Sequence, residues 1–339
     1  MPLKTLLILP LFLFTFSCKS QIPADVKEVL DTVLDHAEEA SMYRNAVDWP
    51  LLRDEVYTLA EEADSIPDLA PALNHLLEQL GDEHGRFFYK NRHLAFYNGP
   101  PKEHLVNMSS DVYNKIQSGQ VYEFQATLIE PGIGYVRIVG LPMGDNIKMS
   151  QAIQEAVCEQ HGKGAQDWIV DLRFNGGGNM FPMVEGLASI IGDGPAGGAV
   201  GLTEAENSVW RVEDGDFYYD EQSVQLPNDC AYDVLPKVAV LTSTYTASSG
   251  EVVAVVFKGR EKTRFFGEPT LGLTTVNDWT PIDSTSTLLL SVGTYKSRDG
   301  VVHTGFVEPD EDISFMPDVD KSEDMGIKRA LEWLSETEE

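Results

Sequence analysis

Residues 237–269 contain the apolar run Val238-Ala239-Val240-Leu241, followed by Thr244-Tyr245-Thr246-Ala247-Ser248-Ser249-Gly250-Glu251 and an apolar helical pattern. A small hydroxyl residue at a strand-to-helix turn has an exposed oxygen, near helix N-terminal amides that favour developing negative charge. Nucleophiles are presented in this way. Ser and Thr also cap helix N-termini without any chemistry, so this stretch alone predicts either a nucleophilic serine or a capping residue.

A second apolar run, at residues 166–173, ends in Phe174-Asn175-Gly176-Gly177-Gly178-Asn179 before another helical pattern. Three consecutive glycines leave backbone N–H groups uncovered, so this loop can approach a ligand closely and donate to an oxyanion. A phosphate-binding loop is a weaker interpretation, because the Lys-Ser/Thr that completes that motif is absent. A plain flexible turn is the remaining alternative.

Four segments in order along the chain resemble the S41 peptidases, the family of the tail-specific (carboxyl-terminal processing) proteases, the tricorn protease core and the retinoid-binding protein repeats. The segments are Asp171-Leu172-Arg173-Phe174-Asn175-Gly176-Gly177-Gly178, Thr246-Ala247-Ser248-Ser249-Gly250-Glu251, Gly267-Glu268-Pro269-Thr270 and Val307-Glu308-Pro309-Asp310. The resemblance implies an α/β fold with a mixed β-sheet core flanked by helices, the ClpP/crotonase-like core of S41 peptidases. Strand patterns that alternate with helical patterns after residue 130 agree with such a sheet.

By this resemblance the nucleophile is Ser248, three positions before the glutamate matched by Glu251. The tail-specific branch pairs its serine with a lysine in a Gly-Lys-Gly-Thr segment, and this chain has Leu273 at that position. A leucine cannot accept a proton. Either the chain is therefore inactive or another side chain is the base.

The segment Leu80-Gly81-Asp82-Glu83-His84-Gly85-Arg86-Phe87 provides a candidate base, His84. It resembles the Asp-x-His segment of the tricorn-like branch, in which the histidine is the general base. The unperturbed pKa of histidine suits proton transfer near neutral pH. The alternative is a surface-loop histidine beside two carboxylates.

A histidine base needs an orienting partner on its far ring nitrogen. Spacing does not rank the three acidic candidates, which are Glu251, Asp82 and Glu268. We include Glu251 with Ser248 and His84 in the predicted catalytic set.

The resemblance also implies oxyanion donors, namely the backbone N–H of Ser249 and that of Gly176 or Gly177. The reaction would be acyl transfer, in which Ser248 attacks a peptide carbonyl and His84 accepts and returns the proton. We expect no cofactor. We also expect no metal, because the usual His-rich or Cys-rich ligand spacings are missing from the sequence.

Residues 1–18 begin with a short basic region, continue as an apolar run and end in Ser17-Cys18, an order typical of a secretory signal and too short for a spanning helix. A cysteine at this place, followed by polar residues, resembles a bacterial lipoprotein cleavage site with Cys18 as the lipidated residue. We therefore expect an exported protein of the bacterial cell envelope, in the periplasm or at the outer membrane, attached through that lipid. Cys158 and Cys230 remain and permit one disulfide, but their pairing cannot be judged without distances.

The composition is that of a globular protein, with 42% hydrophobic residues, but 54 acidic against 25 basic residues give a formal charge of −29. Nucleic acid is a poor partner for such a chain, because binding the phosphate backbone requires a basic surface. The charge favours solubility and would attract basic peptides and repel acidic ones at low salt. The alternative is that it reflects a saline habitat and indicates nothing about the substrate.

Residues 19–85 show helical periodicity with Asp and Pro breaks, which predicts a small bundle of three helices. Residues 86–129 have a weak pattern with turn signals and are predicted to be a linker or loop region. That segment is too short for the PDZ domain of many tail-specific proteases, so we expect none. Residues 130–339 are the predicted catalytic core, closed by a helix at 325–335. Its aromatic excursion at 192–228 is expected to be a hairpin packed on the core, with a cleft-lining segment as the alternative.

The leading hypothesis is a serine-type peptidase of the cell envelope that acts on polypeptides through Ser248 and His84. The main alternative is a non-catalytic member of the same fold that binds a peptide or an apolar ligand, because such a protein would tolerate Leu273. An esterase-like hydrolase is a third possibility, since the same serine and oxyanion donors would cleave esters. The joint presence of Ser248, His84 and the glycine loop favours the enzyme.

Overall fold

The computed structural model describes residues 22–119, 122–227 and 230–336. Within these ranges the helices are α1 (Ala24–Ala40), α2 (Trp49–Leu59), α3 (Ala70–Leu80), α4 (Ser110–Ser118), α5 (Asn146–Gly162), α6 (Met180–Gly186), α7 (Ala188–Ile191), α8 (Ser249–Phe257) and α9 (Met325–Ser335). The strands are β1 (Arg86–Tyr89), β2 (Arg92–Phe96), β3 (Gln125–Glu130), β4 (Ile133–Arg137), β5 (Asp167–Asp171), β6 (Gly194–Val200), β7 (Ser208–Glu213), β8 (Asp216–Tyr219), β9 (Gln222–Ser223), β10 (Val238–Thr242), β11 (Thr263–Gly267), β12 (Thr275–Pro281), β13 (Ser286–Lys296) and β14 (Glu311–Asp312).

One sheet has six strands in the order β14-β11-β10-β5-β4-β3 and is mixed, because β3 runs antiparallel to β4 while the other neighbours are parallel. Its central strand β10 is buried along its whole length. Val238 and Val240 face a core shared with α5, α6 and α8. Ala239 and Leu241 face the opposite side, which α9 covers. The near-continuous apolar run in the sequence reflects a strand covered on both faces.

The strands β5 and β10 are direct parallel neighbours, with Val240 opposite Val170 and Leu241 opposite Asp171. Parallel neighbours end at the same edge of a sheet, so the loops that follow them lie side by side. The glycine loop follows β5 and the Ser248 turn follows β10. This register brings the two motifs together.

A second, antiparallel sheet has eight strands, with seven in the order β2-β1-β13-β6-β7-β8-β9 and β12 paired with β13 beside them. The helices α1, α2 and α3 pack against it in one apolar cluster that includes Phe87 of β1 and Leu288 and Leu290 of β13. The three helices predicted near the N-terminus are therefore present. They pack together and share their core with this sheet.

The expectation that residues 86–129 form only a linker or loop is wrong. This segment contains β1, β2, α4 and the start of β3, and β1 pairs with β13 from Arg86↔Leu289 to Tyr89↔Ser286. A four-residue strand carries too few alternations to be distinguished in sequence from the turn signals around it. Its partner strand is about 200 residues further along the chain, where no local pattern can reveal it.

The predicted hairpin at residues 192–228 is confirmed, because β6, β7 and β8 pair in antiparallel succession. Trp210 and Phe217 of this region are buried in the main core. The predicted closing helix corresponds to α9.

Cys158 of α5 and Cys230 form a disulfide with a Cα–Cα distance of 5.2 Å. The predicted leader, with Cys18, lies outside the described residues. In the part of the chain that the structure describes, none of the helices combines the length and apolar character needed to cross a membrane.

Candidate active site

Ser248 lies in the turn between β10 and α8, with φ of 52° and ψ of −118°. A non-glycine residue in this region costs about 1–3 kcal/mol and persists only where its surroundings fix it. Three hydrogen bonds to the segment between β5 and the glycine loop do so: Thr246 Oγ1 donates to the Leu172 carbonyl (2.9 Å), Ser243 Oγ to the Arg173 carbonyl (2.7 Å) and the Ala247 amide to the Asn175 carbonyl (2.9 Å). These bonds hold the strained serine turn against the segment that follows β5.

The carboxylate of Glu251 is fully buried and binds the same turn from the other side. Its Oε2 accepts hydrogen bonds from the amides of Ser248 and Leu273, both at 2.8 Å. Its Oε1 accepts from the Gly272 amide at 2.8 Å and from the Thr270 hydroxyl at 2.5 Å. Burial raises the pKa of Glu251 to about 7, against the opposing effect of these donors. Glu251 therefore links the serine turn to residues 270–273.

The three acidic candidates for orienting His84, which are Glu251, Glu268 and Asp82, have different hydrogen-bond partners. Both oxygens of Glu251 serve the donors named above, and none of those donors belongs to His84. Glu268 accepts from the amides of Thr244 and Phe315. Asp82 alone of the three contacts the histidine residue directly, through the His84 backbone amide at 3.1 Å. The predicted role of Glu251 as a partner of the His84 ring is therefore not what this geometry provides.

The glycine loop lies directly against the serine. Gly177 has φ of 104°, and a Cβ placed on it would lie 2.9 Å from Ser248 Cβ and 3.4 Å from Ser248 Oγ. Its amide donates to the Asn175 side chain at 3.0 Å. Gly178 contributes its carbonyl, which accepts from the Ser249 hydroxyl at 2.5 Å. Ser249 is the first residue of α8, where the backbone N–H has no helical acceptor. Of the predicted oxyanion donors, Gly177 is thus bonded within its own loop here.

His84 follows α3, which ends at Leu80 with Gly81 in the left-handed conformation. The side chain is buried, with the residue 7% exposed. Desolvation, with smaller contributions from the charges of Arg86 and Lys102, lowers the pKa of His84 to about 3. The imidazole is therefore neutral near pH 7 and has a lone pair available to accept a proton.

The ring of His84 contacts polar side chains of β12. Nδ1 lies 2.8 Å from Thr275 Oγ1, and the Asn277 side-chain nitrogen lies 3.0 Å from each ring nitrogen. In the described part of the chain, no hydrogen bond joins His84 to Ser248. The two side chains line the same cavity.

That cavity has a volume of about 490 Å³. Aromatic side chains form much of its wall: Phe88, Tyr113, Phe181, Trp210, Tyr219, Trp279 and Tyr295. Trp210 and Tyr219 come from the hairpin region, so the packed-hairpin and cleft-lining interpretations both describe it. Leu273 also lines the cavity, so the position of the family lysine does face the site, with a side chain that cannot take a proton. Within the described ranges, no group of three or more His, Cys, Asp or Glu side chains could hold a metal ion.

Sequence analysis missed the polar residues of β12 and β13 that surround His84. Thr275 and Asn277 are two residues apart and therefore lie on one face of β12. Ser291 of β13 is opposite Asn277. The only sequence signal for them was this polar alternation, which solvent-facing strands also show.

The chain belongs to Peptidase family S41, whose profile it matches over residues 132–313. Membership supports a peptidase role. The matched region contains the glycine loop, Ser248 and Glu251, whereas His84 lies before it.

The chain is similar to known proteins both in its sequence and in its fold. A nisin-resistance protein from Lactococcus lactis subsp. lactis is 31% identical over 143 residues, which cover 42% of this chain and 44% of that protein. The chain thus matches less than half of the length of this relative. Two solved structures share the fold: a lipoprotein from Streptococcus agalactiae (TM-score 0.67, 18% identity, 98% of this chain and 99% of that chain) and the photosystem II D1 C-terminal processing protease (TM-score 0.58, 18% identity, 91% and 97%).

Proposed function

We propose that the chain is a serine peptidase in which Ser248 is the nucleophile and His84 the general base. The observation that carries this proposal is the arrangement of the strained Ser248 turn, the glycine loop and a neutral, buried histidine around one cavity. If Ser248 served only as a helix cap, neither a histidine nor an aromatic cavity would be needed beside it. The loss of the lysine at Leu273 then leaves proton transfer to His84.

In the proposed cycle Ser248 Oγ forms a bond to the substrate carbonyl carbon, and its proton passes to His84. The tetrahedral oxyanion accepts hydrogen bonds from the Ser249 amide and from the Gly176 amide, or from the Gly177 amide once it leaves the Asn175 side chain. The proton then moves from His84 to the departing amine as the peptide bond breaks. Water, deprotonated by His84, releases the acyl group and restores the serine hydroxyl.

The substrate we propose is a polypeptide with apolar or aromatic side chains, because aromatic residues line the cavity. The charge of −29 would favour basic peptides at low salt. The relative from Lactococcus lactis is named for nisin resistance, so nisin is one compound to offer as a substrate.

We also propose that the protein is exported and held at the bacterial cell envelope by a lipid on Cys18. The order of residues 1–18 supports this, together with a disulfide of the kind that persists in oxidising compartments. One solved structure with a similar fold is named a lipoprotein. Mass spectrometry of the N-terminal peptide from membranes tests the proposal, and an unmodified Met1 or Cys18 would contradict it.

A fluorophosphonate probe tests the catalytic proposal on the purified protein. We expect labelling of wild type at Ser248 and loss of labelling in Ser248→Ala and His84→Ala. His75→Ala is the matched control, since His75 bonds Glu55 on the N-terminal helices, away from the cavity. Absence of labelling in folded wild type would favour the non-catalytic binding protein.

A further inference from the structure

Asp82 and the ring of His84 are connected through two hydroxyl groups. The Ser291 hydroxyl donates to Asp82 Oδ1 at 2.7 Å, and Ser291 Oγ lies 3.1 Å from Thr275 Oγ1. Thr275 Oγ1 in turn lies 2.8 Å from His84 Nδ1. Asp82 and Ser291 are both fully buried and Thr275 is half-buried, so water is excluded from the carboxylate end of this path. We call Thr275 and Ser291 the hydroxyl relay.

The carboxylate fixes the direction of the hydrogen bonds in the relay. A hydroxyl has one proton, and an ionised carboxylate is the stronger acceptor, so the Ser291 proton points to Asp82. Ser291 Oγ is also placed to donate to Thr275 Oγ1 at 3.1 Å, but its single proton is used on Asp82, so this contact becomes a donation from Thr275 to Ser291. With its proton used there, Thr275 can only accept from His84 Nδ1–H. This chain of donors sets the histidine tautomer.

Asp82 itself is held in place by backbone amides. Oδ1 accepts from the amides of His84 (3.1 Å) and Gly85 (2.7 Å), and Oδ2 accepts from the Ser291 amide (2.9 Å). The carboxylate therefore joins the histidine loop to β13 at a fixed position. A charge held by so many donors provides a stable end to the relay.

We propose that Asp82, acting through Ser291 and Thr275, is a positioning residue that keeps the proton of His84 on Nδ1. The Nε2 lone pair, which accepts from the Asn277 amide 3.0 Å away in this structure, then becomes the base for Ser248 once Asn277 releases it. This inference rests on the proposed roles of Ser248 and His84. When His84 accepts the serine proton, the relay also gives the imidazolium a donor path toward a negative charge, which offsets part of the cost of charging a buried ring. Of the three acidic candidates, the one that orients the ring of His84 is thus Asp82, which is connected to it through the hydroxyls of Ser291 and Thr275.

The first test removes one hydroxyl of the relay. In Thr275→Val we expect the labelling rate at saturating fluorophosphonate to fall about 100-fold, with an unchanged half-saturating probe concentration, because general-base catalysis is lost and the cavity is not. Thr275→Ser should restore most of the rate. Thr280→Val is the matched control, since Thr280 lies on the same strand and bonds a different histidine, His36, at 3.0 Å. An unchanged rate in a folded Thr275→Val would overturn the proposal.

The second test observes the tautomer directly and does not depend on activity. Nitrogen-15 NMR of the imidazole in wild type should show His84 as the Nδ1–H form, and Thr275→Val or Ser291→Ala should shift it toward the Nε2–H form. An Nε2–H tautomer in wild type would overturn the proposed role of the hydroxyl relay, even if both variants fail to fold. Failure of wild type to react with the probe would instead refute the proposed function, while the tautomer would still decide whether the relay exists.

Discussion

The backbone amide of Ser248 and that of Leu273 donate to one oxygen of Glu251, each at 2.8 Å. The turn that carries Ser248 and the segment that carries Leu273 are therefore fixed relative to each other by a single buried carboxylate. The conformation of the serine, with φ of 52°, depends on that carboxylate remaining an acceptor.

The activity should fall as the pH drops through about 7, because the pKa of Glu251 is raised to about 7 and protonation replaces one acceptor by a donor. His84, with a pKa of about 3, stays neutral over this range. Glu251→Gln should label at least about tenfold more slowly at pH 8, since an amide nitrogen cannot accept from the backbone. Its rate should also be flat between pH 6 and 8. Rates of fluorophosphonate labelling against pH provide the measurement, and a wild-type-like acid limb in Glu251→Gln would exclude this assignment.

The substitution Gly177→Ala should lower the rate of fluorophosphonate labelling strongly and the free energy of unfolding only modestly. An alanine Cβ there would lie 2.9 Å from Ser248 Cβ and 3.0 Å from the Ala247 carbonyl, so the serine turn must move. Gly132→Ala is the control, because Gly132 has φ of 85° with open space around it. Both variants carry a backbone cost of about 1–2 kcal/mol. Only Gly177→Ala should lose more than about tenfold in labelling rate. Equal rates in the two variants would show that the close approach does not matter.

The folded protein should lose stability through His84 when the medium becomes acidic. Its pKa is depressed in the folded state from 6.5 to about 3, so the stability it contributes is complete above pH 6.5 and is lost progressively as the pH falls toward 3. Between pH 7 and pH 5 this loss amounts to about 2 kcal/mol. Urea unfolding of wild type and His84→Gln at the two pH values isolates it. A stability difference between the two proteins that does not change with pH would contradict the lowered pKa.

The disulfide between Cys158 and Cys230 closes a separation of 72 residues. A loop of that size is worth about 4 kcal/mol in the chain-entropy description. We therefore expect the free energy of unfolding of the double variant Cys158→Ala/Cys230→Ala, measured by urea unfolding, to be lower than that of wild type by about 4 kcal/mol. Reductant should produce the same shift in wild type and none in the double variant. Reductant-insensitive unfolding of wild type would show that the disulfide does not form.

The sequence predicted the parts of the site that lie in continuous motifs. The serine turn and the glycine loop each follow an apolar run, and the parallel pairing of β5 with β10 joins them as expected for an α/β sheet. His84 was found through its Asp-x-His segment. The structure places these residues around one cavity, and each motif could be located in the sequence because strand ends and helix ends carry local signals.

The surroundings of His84 could not be predicted in the same way. Thr275 is 191 residues from His84, and Ser291 is 209 residues from Asp82. They meet because β12 pairs with β13 and β13 pairs with β1, and β1 was too short to be recognised. The choice among Glu251, Glu268 and Asp82 depended on that non-local pairing, so spacing along the chain left it open.

The strand β13 contributes Leu288 and Leu290 to the core of the N-terminal helices, Ser291 to the hydroxyl relay, and residues 294–296 to the pairing with β6. The N-terminal region and the S41 core consequently depend on the same strand, and we expect them to be inherited together. Recombination that exchanged residues 22–96 for an unrelated helical module would remove β1, the strand that pairs with β13, and would also remove His84. New specificities in such a protein should therefore arise by substitution along the cavity wall, with the order of its segments unchanged.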